Sequence, residues 1–214
     1  MAQFYNAMHK KLHRKQNSNK AETQWEKANI SYQNYLAYIN NKAEKFCLNY
    51  IDLLYVSNFK GGNASINENE SVVNKKLYKY SQHLISLYQK FENKHLRYLT
   101  NEELDSLKES ALSFIQLTLS NETSIDGFKC SYASALLHFY FPNLVPILDR
   151  RVLNGIGIKV KRNKQGQVVN IERYYSALID LFHSYLKYNP NKSLRDYDKE
   201  NFVKPLKDTE TAGA

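Results

Sequence analysis

Apolar side chains recur every three or four residues over most of this chain, and that spacing predicts a succession of helices. From Trp25 to Phe59 the series Tyr32, Tyr35, Tyr38, Ile39, Phe46, Tyr50, Leu53 and Leu54 predicts two helices, broken near Asn40 and Asn41. Val72 to Tyr98 predicts one long helix with Leu77, Tyr80, Leu84, Leu87, Tyr88 and Phe91 on one face. Asn101 to Leu119 predicts another, opened by Thr100 and by Glu103 three residues on, the pattern of a capping box. A short apolar helix runs from Ser131, its expected cap, to about Phe141, with Ala133, Leu136, Leu137 and Tyr140 on one face. Glu172 to Tyr188 predicts a helix packed through Tyr175, Leu178, Ile179, Phe182, Tyr185 and Leu186. Ser193, with Asp196 three residues later, caps a last short helix. Near the start, Phe4, Met8 and Leu12 form an apolar stripe among the basic residues His9, Lys10, Lys11, His13, Arg14 and Lys15.

The helical pattern breaks in three places. Lys60-Gly61-Gly62-Asn63 opens a polar loop that lasts to about Glu70. Its Gly pair lacks the following Lys-Ser/Thr of a phosphate-binding loop. Pro142 ends the short apolar helix, Pro146 stiffens the loop after it, and Asp149 can cap a short helix that Gly155 ends. From Ile158 to Ile171 the apolar residues flank Asn163-Lys164-Gln165-Gly166, which predicts a small β-hairpin. The expected fold is therefore mainly helical, all-α, with this one hairpin. It forms a single compact unit over 1–214 with a disordered tail over 207–214.

Charge narrows the partners. Lys and Arg number 30 against 21 acidic residues, a net charge of +9. That excess fits a polyanion such as DNA, RNA or an anionic membrane, or a basic protein whose charge is incidental. No apolar run approaches a membrane span, and no signal peptide is present, so the expected location is the cytoplasm and no membrane is expected. The two cysteines, Cys47 and Cys130, exclude a four-cysteine iron–sulfur cluster, and the histidines show no zinc spacing. No metal and no cofactor are expected.

The densest chemical signal lies between Ser124 and Gly157. Asp126-Gly127 favours a turn with positive φ at the Gly. Turn amides leading into a helix N-terminus suit a phosphate. A Pro-bounded loop then delivers Asp149, followed at once by Arg150 and Arg151. Residues 125–152 resemble the helix-hairpin-helix DNA glycosylases of base-excision repair. The family hairpin has the form P-G-[VI]-G-x-x-x-A. Asp126-Gly127-Phe128-Lys129-Cys130-Ser131-Tyr132-Ala133 matches it with Asp for Pro and Lys129 for the second Gly. The family then places an Asp about 17 residues after that Ala. Here Asp149 follows Ala133 by 16. The segment Val145-Pro146-Ile147-Leu148-Asp149-Arg150-Arg151-Val152 resembles the family's V-P-x-D-x-[HR]-V.

The resemblance implies two helical lobes around a cleft. Residues 21–147, with the helix-hairpin-helix, would form the central lobe, and 1–20 with 148–206 the second. It implies a DNA glycosylase that flips out a damaged or modified base and hydrolyses its N-glycosidic bond. Asp149 is the catalytic candidate, although an Asp before a short helix can be a cap and nothing more. Gly127, Phe128, Lys129, Ser131, Arg150 and Arg151 are the DNA-binding candidates, and one of the two Arg can instead pair with Asp149. Trp25, Tyr32 and Tyr35 are the aromatics chosen for the base pocket, because a flipped base needs a flat π face. Bifunctional members carry a nucleophilic Lys where this chain has Ser131, which favours a monofunctional enzyme; Lys129, two residues away, keeps a lyase open. Hypermodified phage DNA is one candidate substrate, and a monomer is the expected state. Two rivals remain: a non-catalytic helix-hairpin-helix module that binds duplex DNA, and a helical interaction protein. His138, predicted opposite Leu136 and Tyr140, is expected to be a surface or capped residue rather than a base.

Overall fold

The computed structural model describes residues 2–62 and 64–205, with side chains from Lys20 onward. The Phe4, Met8 and Leu12 stripe, the basic cluster around it and the 207–214 tail lie outside the described side chains. Among the described residues the fold is all-α, with eight helices and no named strand.

The first helix, α1, runs unbroken from Ala2 to Asn40, so residue 20 falls inside it. Its buried positions Ala21, Trp25, Tyr32, Tyr35 and Ile39 form one stripe at helical spacing. It ends at Asn40, as the sequence predicts. The second helix, α2, spans Tyr50–Phe59 and begins with a capping box between Asn49 and Asp52. The third, α3, spans Glu70–Phe91. The predicted continuation to Tyr98 fails because the chain turns at Asn93, whose φ of 58° is left-handed. A 3-10 turn, Leu96–Tyr98, follows and buries Leu96. Helix α4, Asn101–Gln116, starts on the Thr100–Glu103 capping box, and Leu117–Leu119 tightens into a 3-10 turn.

Helix α5, Cys130–Tyr140, is the centre of the molecule. Every residue from Ala133 to Tyr140 is buried, and α1, α2 and α4 all touch it. A helix enclosed on all sides has no surface face, so of the two alternatives for His138 the surface one fails and the hydrogen-bonded one stands. That residue is fully buried. Its Nδ1 donates to the Val145 carbonyl at 2.7 Å, and its Nε2 lies 3.3 Å from the Tyr32 hydroxyl. Burial, helped by the Arg195 charge, pushes the imidazole down to about 3, so it stays neutral and holds structure.

Helices α6 (Arg150–Ile156), α7 (Tyr175–Tyr188) and α8 (Leu194–Phe202) complete the fold. Helix α7 packs on α4, and α8 packs on α6 and on α1. The capping box of Ser193 and Asp196 opens α8 as predicted. The expected β-hairpin at 158–171 is reduced to one antiparallel bridge, Arg162 with Val168. Asn163 Oδ1 accepts from the Gln165 and Gln167 amides and closes the turn locally, and Ile171–Tyr174 is already a 3-10 turn. Ile158, Val160 and Ile171 pack against the core while Val169 is 39% exposed, so the segment lies on the core as an irregular turn and not as a two-stranded ladder. No helix of the described residues is long and apolar enough to cross a membrane.

Candidate functional site

A cleft of about 1090 Å³ opens beside the N-terminal end of α5. Its walls come from α1, the end of α2, the start of α5, the loop before α6, and α8. Lys27, Lys60, Lys129, Arg150, Arg151 and Arg195 line it, six cations against two carboxylates, Asp149 and Asp198.

Asp149 is positioned by a loop with little freedom. Leu144, Val145, Ile147 and Leu148 are buried. Three side chains hold the loop's backbone: His138 bonds the Val145 carbonyl, Tyr175 donates to the Pro146 carbonyl at 3.0 Å, and Ser134 Oγ accepts from the Leu148 amide at 2.9 Å. Asp149 then caps α6, its Oδ1 accepting from the Arg151 amide at 2.8 Å. Its Oδ2 accepts from Lys60 Nζ at 2.6 Å, with the two side chains 18% and 12% exposed. Burial acts to raise this carboxyl. The Lys60 charge and hydrogen bond, the Arg151 amide and the Arg150 charge outweigh it and hold the group below the usual carboxylate range. The partner is thus Lys60 rather than either Arg. The Arg151 guanidinium bonds Gln24 Oε1 at 2.7 Å and lies 4.9 Å over the Phe202 ring.

Two glycines let the walls close. The α6 helix ends at Gly157, with φ of 94°, two residues past the predicted stop. Gly155 lies within the helix, where a Cβ would come within 2.1 Å of the Asn201 carbonyl oxygen. That close approach seats α6 on α8, bringing Asp149 and Asp198 onto one cleft. Gly127 has φ of 82°, and a Cβ there would come within 2.2 Å of the Ser65 oxygen. The turn therefore lies against the loop that starts at Lys60.

The predicted DNA-binding residues divide. Lys129, Ser131, Arg150 and Arg151 line the cleft. Phe128 is buried against Tyr80, and its amide donates back to Ile125. Ser131 is not the cap of α5; Lys129 holds that position and offers no side-chain acceptor. The Asp126 amide already donates to Glu68 Oε1, a carboxylate on the turn from within the chain.

Of the three aromatics named for a base pocket, Trp25 lines the cleft and Tyr32 and Tyr35 do not, and all three are packed on other side chains. Tyr35 is fully buried, donating to Asp52 Oδ1 at 2.9 Å, and does not line the cleft. Tyr32 is 6% exposed and packs on Phe139. Trp25 does line the cleft, but the Arg195 guanidinium lies 3.8 Å from its ring centre and Phe202 packs at 5.4 Å. Trp25, Tyr32 and Phe59 together cradle Arg195, which lies 4.6 Å from Tyr32 and 5.5 Å from Phe59.

Lys60 and Arg195 are the site residues that sequence reasoning missed, and Asp198, which the sequence offers as one of several helix carboxylates expected to be solvated, is buried at the cleft. The i, i+3 spacing of Arg195 and Asp198 on a helix signals an ion pair, and Nη1 does donate to Asp198 Oδ2 at 2.6 Å. Nothing local signals that Lys60 meets Asp149 from across the fold. Asp198 is 2% exposed and its Oδ1 has no hydrogen-bond partner in the protein; nor do Arg195 Nε and Nη2. A buried polar atom left so costs about 1–3 kcal/mol. Burial pushes the Asp198 carboxyl up to about 6, against the pull of Arg195. Among the described residues no group of His, Cys, Asp and Glu could hold a metal ion. No family model, no curated protein and no solved structure matches this chain.

Proposed function

We propose that this protein is a DNA glycosylase that draws a damaged or modified base into the cleft and hydrolyses its N-glycosidic bond. The observation that carries this reading is Asp149: a carboxylate kept ionised, fixed by a helix cap and an immobile loop, in a cleft whose other charges are mostly cations. Such cleavage passes through a sugar with oxocarbenium character, and a fixed carboxylate near C1′ stabilises that charge. The same carboxylate accepts the proton of the attacking water, so the base leaves, water adds to C1′ and an abasic site remains. Lys60 Nζ already occupies the place beside Asp149 Oδ2 where a positive charge is favoured. Lys129, Arg150 and Arg151 supply charge for phosphates on either side of the extruded nucleotide. Helix α5 has no side-chain cap at its N-terminal end, where Lys129 and Ser131 line the cleft, so its positive end suits a phosphate there. Hypermodified phage DNA is the substrate that deserves trial beside oxidised and alkylated DNA.

The test uses the protein and its Asp149→Asn variant on DNAs carrying different base modifications, with abasic sites counted by an aldehyde-reactive probe. Abasic sites from the wild type, reduced by about 10²–10⁴-fold in the variant, are the expected result. The Lys60–Asp149 bond favours one rival, a non-catalytic DNA-binding module in which Asp149 is a cap with an ion pair. That rival predicts salt-dependent binding by both proteins and abasic sites from neither.

A further inference from the structure

Asp198 and Arg195 stand apart from the other buried charges. The Arg195 side chain is cradled by three rings and bonded to Asp198 Oδ2, so the pair is held in one geometry. Both residues line the cleft that holds Asp149. Asp198 is 98% buried by the complement of its 2% exposure, yet Oδ1 accepts no hydrogen bond from the chain. An acceptor so placed calls for a donor from outside the protein. A cation is a poor occupant beside the Arg195 charge, whereas a neutral amino group supplies a donor without adding charge. Arg195 Nε and Nη2 meet no acceptor within the chain either, so the pair holds both unused donors and an unused acceptor. A nucleobase edge with an exocyclic amine next to a ring nitrogen answers both.

We infer that Arg195 and Asp198 read the base in the cleft, with Asp198 Oδ1 accepting from an exocyclic amino group and so selecting adenine-type or cytosine-type bases over their keto counterparts. A keto oxygen in the same place meets a carboxylate oxygen, two acceptors face to face, and is rejected. The inference rests on the glycosylase reading for the origin of the base, but recognition itself can be tested with free bases. Selection requires the ionised carboxylate. The groups that act on it are Arg195 on its own helix, Asp149, Lys60 and the Tyr32 hydroxyl. With the carboxyl titrating at about 6, selection is present above that pH and fades below it.

The experiment is calorimetric titration of adenine, hypoxanthine, cytosine and uracil into the full chain at pH 7.5. Adenine is expected to bind about tenfold more tightly than hypoxanthine, and cytosine than uracil, as for one charge-assisted hydrogen bond. Asp198→Asn, which can turn its amide to donate, is expected to bring each ratio close to one. Thr100→Ala, which lies outside the cleft, is expected to leave both ratios unchanged. A repeat on the wild type at pH 5, with the adenine and hypoxanthine pair, needs no variant and is expected to erase the ratio. Equal binding within each pair at pH 7.5, no measurable binding of any base, or ratios that survive Asp198→Asn or pH 5 overturns the inference. Abasic-site counts on DNA report separately on the glycosylase reading, so either can fail while the other stands.

Discussion

Two of the buried acid–base pairs, Lys42 with Asp52 and Arg195 with Asp198, are built differently. Around Asp52 every acceptor position is used. Oδ1 accepts from Tyr35 at 2.9 Å and Tyr140 at 3.4 Å, and Oδ2 accepts from Lys42 and from the Asn49 amide, both at 2.8 Å. Lys42 in turn donates to the Cys47 carbonyl at 2.7 Å. Burial, with Asp52 beside them, pushes the Tyr35 and Tyr140 hydroxyls up, so they remain donors. This network ties α1, α2 and α5 together and lies away from the cleft. Around Asp198 one oxygen is satisfied and the other is not, and the pair borders the cleft. A complete network fixes a fold; an incomplete one beside a cavity leaves hydrogen-bonding capacity for a ligand.

The largest effect on that contrast is expected from Asp52→Ala. It strands the buried Lys42 charge and is expected to cost about 3–5 kcal/mol in urea unfolding, as for other broken buried pairs. In protein that remains folded, base discrimination stays intact. A stability loss of under 1 kcal/mol would remove the distinction drawn between the two pairs.

Next comes the pH dependence of Asp198. Its folded carboxyl is raised to about 6 from an unfolded value near 4. The folded state therefore binds its proton more tightly, and the associated stability is full below pH 4 and is lost as pH rises to about 6. Unfolding of the wild type compared with Asp198→Asn across this window is expected to differ by on the order of 3 kcal/mol between its ends. Asp149 has the opposite sign: its depressed carboxyl adds stability above pH 4 that disappears as pH falls through its folded value. A flat difference curve between pH 4 and 6 would mean that Asp198 is ordinary.

Lys60→Met sharpens the comparison at the cleft. It leaves the Arg151 amide and Arg150 to hold Asp149 ionised, so the carboxyl rises. The acid limb of the abasic-site pH profile is expected to move up by about one pH unit. An unmoved limb would show that Lys60 does not act on the reacting carboxylate. Borohydride trapping on an abasic duplex, compared for Lys60→Met and Lys129→Ala, shows whether either amine forms a Schiff base. The smallest effect is expected from Thr100→Ala, which removes the cap of α4 far from both pairs and costs about 1 kcal/mol. Any change in base discrimination there would mean that the assay responds to stability alone.

Legibility in the sequence follows the range of the interactions involved. Local rules located the caps at Thr100, Ser193 and Asp149, the break after Asn40, and the stripes of α3, α4 and α7. They failed where tertiary contacts decide. Gly155 looked like a helix end because Gly often ends helices, but its missing Cβ admits the Asn201 backbone instead. His138 looked like a surface or capped residue, whereas neighbours enclose the helix all round and leave only the second role. The alternation at 158–171 looked like two strands, but its apolar residues Ile158, Val160 and Ile171 pack directly on the helical core and only one bridge forms between the arms.

The sequence alone determined the helical class, most helix starts and the order of turn, helix, loop and carboxylate ending at Asp149, because periodicity and capping act within a few residues. It also determined the net charge of +9. Only the tertiary structure decided that Lys60 meets Asp149 across 89 residues of chain, that Trp25 holds Arg195, and that Asp198 keeps an unused oxygen beside the cleft. Those facts depend on how helices close on one another. A pattern that repeats every three or four residues says which face is buried, but not which neighbour buries it.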